Sequence, residues 1–104
     1  MYADTLDIPL SENVNIKART RKMEKSSDHP LGIEFAVMGF VKLLEVIRID
    51  NSPHQGKPGT HIHFLDKDKR KGKEVVEESP QIKNPEQAID YVDLYLRSRY
   101  PMLL

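Results

Sequence analysis

The chain has no cysteine, no excess of either charge and no apolar run long enough to cross a bilayer, and each absence removes a class of protein. Without cysteine there is no disulfide framework, no thiolate nucleophile and no sulfur-ligated zinc, which leaves histidine and carboxylate as the metal ligands on offer. Sixteen basic residues offset sixteen acidic ones, so no global field draws the protein to nucleic acid or anionic lipid; such binding has to come from a local patch. The most apolar stretch, residues 35–49, is interrupted by Lys42, Glu45 and Arg48, too short and too charged for a membrane span. The start, Met1-Tyr2-Ala3-Asp4, has neither the basic nor the apolar region of an export signal. These features predict a soluble cytoplasmic protein with no membrane partner.

At 104 residues the chain is sized for one small domain over residues 1–104, with a modest core and no separate substrate domain. A functional site therefore has to lie on a surface or at a dimer interface. Residues 1–12 predict a loosely held arm, and the sheet is expected within residues 13–78. Alternation begins at Val14, with Ile16, Ala18 and Thr20 on one side and Asn15, Lys17, Arg19 and Arg21 on the other, the pattern of a strand with one wet face. Ser26, Ser27, Asp28, Pro30 and Gly32 mark a turn in which His29 reads as solvated.

Residues 33–50 are rich in β-branched side chains and carry Gly39 near their middle, which favours two strands, or one strand bent at the glycine, over a helix. The prolines and glycines of residues 52–59 predict a loop, residues 60–65 alternate again, and a polar turn at 66–72 leads to a short strand at about residues 73–77. The last element is a helix over residues 84–100. Asn84 suits its N-cap, Pro85 its first position and Gln87 the partner position of a capping box. Ala88, Ile89, Val92, Tyr95 and Leu96 form its apolar stripe. The expected fold is α+β, an antiparallel sheet of about four to five strands with the C-terminal helix packed on one face.

Three of the four histidines, His54, His61 and His63, fall within ten residues, beside Arg48, Asp50 and Lys57. A symmetric antiparallel pairing across the 51–60 loop sets Asp50 opposite His61 and Arg48 opposite His63, all on one face, with Ile47, Ile49, Ile62 and Phe64 turned to the core. A slip of one residue exchanges the faces. Three uses remain open for this cluster. The histidines are ordinary strand and loop residues; or they work as acid and base while Arg48 and Lys57 hold an anion; or His54, His61, His63 and Asp50 bind a divalent ion, since an H-x-H pair on a strand stands about 7 Å apart at the base and can converge. Asp50-Asn51-Ser52-Pro53 is also a turn sequence in its own right.

Just beyond, Lys67, Lys69, Arg70, Lys71 and Lys73 make a basic tip. It reads as a solvated turn that protects a sheet edge, or as a phosphate-binding patch for RNA or DNA beside the histidines. Tyr91, Leu94, Tyr100, Met102, Leu103 and Leu104 are more apolar surface than one helical stripe needs, which predicts a homodimer or partner interface at the helix and tail.

The segment Arg48-Ile49-Asp50-Asn51-Ser52-Pro53-His54, followed by a short loop and His61-Ile62-His63, resembles the TumE-type toxin family of prokaryotic toxin–antitoxin modules, over residues 46–100. The second cluster is Gly-Thr-His-Ile-His, where many members of that family carry consecutive histidines. The resemblance implies a growth-inhibiting protein directed at RNA, a helix-turn-helix antitoxin as partner, and Arg48, Asp50, His54, His61 and His63 as the matching site positions.

Overall fold

A computed structural model of the chain describes residues 4–27, 29–52, 59–66 and 75–104. They form one antiparallel sheet of six strands in the order of the chain: β1 (Asp4–Pro9), β2 (Val14–Lys22), β3 (Ile33–Val41), β4 (Leu44–Asp50), β5 (His61–Phe64) and β6 (Val75–Glu78), followed by the helix α1 (Pro85–Arg99). The α+β architecture with a helix on one face is as expected, but the strand count rises from four or five to six. The additional strand is β1, inside the stretch read as a loose arm. Of its sequence, DTLDIP, only Ile8 is half-buried, packing at the margin of the core opposite Ile16, and the strand is held by backbone pairing to β2 from Asp4 opposite Thr20 to Pro9 opposite Asn15. Asn15 Nδ2 adds a bond to Asp7 Oδ1 at 3.1 Å. An edge strand that gains its place from main-chain bonds leaves almost no hydrophobic signature.

The core lies between the sheet and α1. Val14, Ile16 and Ala18 of β2, Val37 and Val41 of β3, Ile47 and Ile49 of β4, and Ile62 and Phe64 of β5 face Ala88, Val92 and Leu96, three helical positions that lose all contact with water. The four-residue spacing of that helical trio is the geometric reason one stripe of α1 can cover the sheet. The start of α1 forms as its sequence predicts, with Asn84 Oδ1 accepting from Gln87 N at 2.8 Å and Pro85 in the first turn. Gln87 reaches back one residue further than a standard capping box, its Oε1 accepting from Lys83 N at 2.7 Å.

Gly39 sits where the helix comes closest. A Cβ there would lie 2.8 Å from Ile47 Cγ2 and 3.0 Å from Val92 Cγ1, so only hydrogen fits. The stretch forms two strands, the first of the two forms read from the sequence, and the β-bulge that the glycine suggested lies between Gly39 and Phe40; the chain reverses at Lys42 and Leu43. Both turn residues have positive φ, 51° and 70°, the backbone of a two-residue hairpin loop that usually draws Asn-Gly. Leu43 remains 91% exposed there.

The tail continues α1 into a 3-10 turn at Pro101–Leu103. Ser11 Oγ donates to Leu103 O at 2.6 Å, and Leu103, Tyr91 and Tyr100 pack against the core. Leu94, Met102 and Leu104 stay exposed, so part of the apolar surplus at this end is used internally and part is not. No helix among the described residues is long and apolar enough to cross a membrane.

Two substitutions test this packing. Gly39→Ala forces a methyl against Ile47 and Val92 and is expected to lower stability by about 1–3 kcal/mol in urea denaturation. Replacing Lys42-Leu43 by Asn-Gly removes two left-handed L-residues from the β3–β4 turn and is expected to raise stability by roughly 1–2 kcal/mol, read as a higher denaturation midpoint at unchanged slope.

Candidate functional site

The pairing of β4 with β5 is the one the alternation predicts: Ile47 opposite Phe64, Arg48 opposite His63, Ile49 opposite Ile62, and Asp50 opposite His61. Arg48, Asp50, His61 and His63 thus share the sheet face turned away from α1. Across the ladders, Asp50 lies in a row running from Arg19 through Ala36 to His61 and Glu78, and Arg48 in the next row with Lys17, Met38, His63 and Val76. The bulge after Gly39 makes this possible. Val46 is the extra residue on β4, and its insertion turns Ile47 and Ile49 to the core and Arg48 and Asp50 to the polar face.

Within the cluster, His63 Nε2 stands 3.5 Å from Asp50 Oδ2, both side chains at least 86% buried. At that separation, the outer limit of a hydrogen bond, the carboxylate acts on the imidazole chiefly through charge. His61 is almost fully buried. β5 is therefore covered on both faces, with Ile62 and Phe64 beneath the helix and the histidines packed on the other side, rather than forming a freely wetted polar face. Arg48 is the more open member, its side chain 42% exposed. Its guanidinium is held in a two-pronged contact by Glu45, Nε to Oε1 at 2.7 Å and Nη2 to Oε2 at 2.8 Å. Glu45 had no place in the sequence reading of the site, although it stands three residues before Arg48 and, with the bulge between them, on the same face.

Asn51 is not simply a turn former. Its Oδ1 accepts from Phe35 N at 2.9 Å and its Nδ2 donates to Ile33 O at 2.8 Å, which clamps the start of β3 to the end of β4 next to Asp50. His29, expected to be solvated, is 4% exposed. The turn is stitched around it, with His29 N donating to Ser26 Oγ at 3.1 Å and His29 O accepting from Ser26 N and Gly32 N. Its Nε2 lies 3.5 Å from Glu34 Oε2, while Arg21 Nε lies 2.9 Å from Glu34 Oε1. A histidine among serines, proline and glycine gives no sign of burial, because the partner that draws it in comes from another element.

Beyond Phe64 the chain reaches Asp66, read from sequence as part of a polar turn and here a buried carboxylate. Tyr95 Oη donates to Oδ1 at 2.6 Å, Arg99 Nε to Oδ2 at 2.7 Å, and Tyr100 Oη also donates to Oδ2. Burial alone would raise this carboxyl; the bonds from Tyr100, Tyr95 and Arg99 outweigh it and hold the group below the ordinary Asp range. The same contact works in reverse on the phenols. Burial and the Asp66 carboxylate push Tyr95 well up and Tyr100 to about 12. Phe64 completes the joint with its ring 5.6 Å from that of Tyr95. The joint fixes the end of β5 to the last turns of α1, three residues beyond His63.

His54, Lys57, Lys67, Lys69, Arg70 and Lys71, all expected at the site, lie outside the described residues. Among the described residues no three His, Cys, Asp or Glu side chains are grouped to hold a metal ion. His63 stands beside the Asp50 carboxylate and His61 lies across the ladder from Asp50 on the same face, residue types suited to taking and giving protons.

Removing the Asp66 charge tests the joint. Asp66→Asn is expected to cost about 2–3 kcal/mol at pH 7, the worth of charge-assisted bonds to a buried acceptor. Because the folded-state carboxyl lies below its unfolded value near 3.9, its contribution is complete above about pH 4–5 and is lost as pH falls through the folded value. At the other end, the raised phenols stabilise the fold below about pH 10, and that share fades as pH climbs toward 12. Denaturation at pH 3, 7 and 10.5 should therefore show a weaker acid dependence in the Asn variant than in the parent.

Comparison with family models, with curated proteins and with solved structures finds no match to this chain.

Proposed function

We propose that this chain is a toxin-like cytoplasmic protein of a toxin–antitoxin module that acts on RNA, with its chemistry at Asp50, His61 and His63. The observation that carries the reading is the Asp50–His63 pair, 3.5 Å from Oδ2 to Nε2, with His61 directly across the ladder from the same carboxylate. Two imidazoles beside one carboxylate are the equipment of metal-free phosphodiester transfer. One imidazole accepts the proton of a ribose 2′-hydroxyl as its oxygen attacks phosphorus. The other gives a proton to the departing 5′-oxygen, leaving a cyclic phosphate and a free 5′-hydroxyl. Asp50 stabilises whichever imidazolium forms.

Arg48 supplies positive charge at the accessible side of the cluster, exchanging the Glu45 carboxylate for a phosphate of similar geometry. Burial of the histidines strengthens each of these charge interactions by excluding water. Further phosphate contacts fall to Lys57 and to the basic residues Lys67, Lys69, Arg70 and Lys71. The resemblance of residues 46–100 to TumE-type toxins supports RNA as the target and a helix-turn-helix antitoxin as the partner. Leu94, Met102 and Leu104 offer such a partner, or a second copy of the chain, exposed apolar surface.

Induced expression with growth and total RNA followed tests the proposal. In a cleavage assay His61→Ala or His63→Ala should lower the rate by about 10²- to 10⁴-fold, whereas Lys69→Ala or Arg70→Ala should mainly weaken binding and flatten its salt dependence. Cleavage should persist in chelator; loss that a transition ion restores would replace the metal-free mechanism with a metal-dependent one. Equal and harmless behaviour of the parent and a His54/His61/His63 triple Ala variant would overturn the toxin reading.

A further inference from the structure

Two apolar features stand at opposite ends of the sheet, and neither is filled or covered by the described residues. One is a cavity of about 370 Å³ on the helix side, at the end where β3 begins, β4 finishes and α1 starts. Phe35, Ile33, Ile82, Pro80 and Pro85 line it, and Leu31, 61% exposed, stands at its rim. The wall offers few open polar groups: Thr60 Oγ1 donates to Ile82 O at 2.5 Å, and both ends of the Asn51 amide hold the backbone of β3. An occupant therefore meets mostly carbon. The other feature is the tip of the β3–β4 hairpin. Leu43 is 91% and Leu44 70% exposed there, and Lys42 and Leu43 hold positive φ values, 51° and 70°, that large L-residues seldom adopt. A turn fitted only to reverse the chain would carry Asn-Gly. Backbone strain of this kind clusters at positions with a function.

We infer that the hairpin tip fills the cavity of a second copy, so that copies of this chain associate head to tail. The contact goes beyond the RNA reading and does not depend on it. The tip cannot reach its own cavity: β3 runs from one to the other, and its nine residues at about 3.3 Å each hold the two roughly 26 Å apart. Size agrees. An apolar cavity of about 150 Å³ holds a benzene ring, so one of about 370 Å³ takes the side chains of Leu43 and Leu44 together. Charge does not oppose the contact, because Lys83 and Glu86, exposed on either side of Asn84 and Pro85, offset each other near the mouth that receives Lys42. Removal of the two leucines from water supplies the affinity. Each copy in such a contact keeps one free tip or one free cavity, so the interface is heterologous and further copies add as an open series or a ring.

Sedimentation of the full chain at rising concentration, up to millimolar, tests the inference. The parent should gain mass with concentration. Leu43→Asn suits positive φ, so the fold should be at least as stable, while association should weaken about ten- to hundredfold. Leu31→Arg, made at an exposed rim position that leaves the core intact, should weaken it similarly by setting a charged side chain across the mouth. Mixing the two variants separates this contact from any other. The first keeps its cavity and the second its tip, so together they should form a one-to-one dimer that grows no further, with the NMR signals of Phe35 and Ile82 shifting in the Leu43→Asn partner alone. A parent that stays monomeric at every concentration, a mixture that stays monomeric, or association lost in Met102→Ser and kept in Leu43→Asn would overturn the inference.

Discussion

The register between β4 and β5 is the constraint on which the site depends. Side chains alternate along a strand, so a shift of one residue in this ladder would carry His61 and His63 under α1 and take Ile62 and Phe64 from beside Ile47 and Ile49 to the polar face. Burying those four apolar side chains fixes the register, because no alternative pairing gives the helix a hydrophobic floor. The histidine cluster inherits its geometry from the opposite side of the same strands. Function on one face is thus specified by packing on the other.

The bulge at Gly39 and Phe40 and the close seat of α1 belong to the same solution. Without Val46 as an extra residue, the hairpin from β3 would deliver β4 with its faces exchanged. Without a hydrogen for a side chain at position 39, Val92 and Leu96 would be held off the sheet centre. The helix is then locked at both ends by different chemistry. Asn84 and Gln87 satisfy the first turn locally, and Asp66 gathers Tyr95, Arg99 and Tyr100 at the last. A buried carboxylate is tolerable here because three donors surround it. The same logic governs Glu34, which stands between Arg21 and His29 at the opposite end of the sheet.

Several features were legible in the residues because the physics that fixes them is local or periodic. The helix over Pro85–Arg99 follows from a capping residue, a proline at the first position and an apolar stripe at helical spacing. The pairing of Asp50 with His61 follows from alternation on two strands joined by one short connection. β1 was not legible, because Ile8 alone of its six residues is half-buried and main-chain bonds to β2 supply the rest of its hold. The hairpin at Lys42 and Leu43 was hidden for a related reason: neither residue favours positive φ, and the strands on either side impose it.

Fold class, the terminal helix and the face on which the histidines lie follow from hydrophobic period and capping, which act over a few residues and need no distant partner. Which polar residues are buried, and with whom, depends on contacts between elements far apart in the chain. His29 meets Glu34 from the next strand, Asn51 clamps β3 across sixteen to eighteen residues, and Asp66 is bound by donors twenty-nine to thirty-four residues away. A polar side chain carries no periodic mark of its burial, because it leaves water only where another element supplies the hydrogen bonds or the charge that replace it.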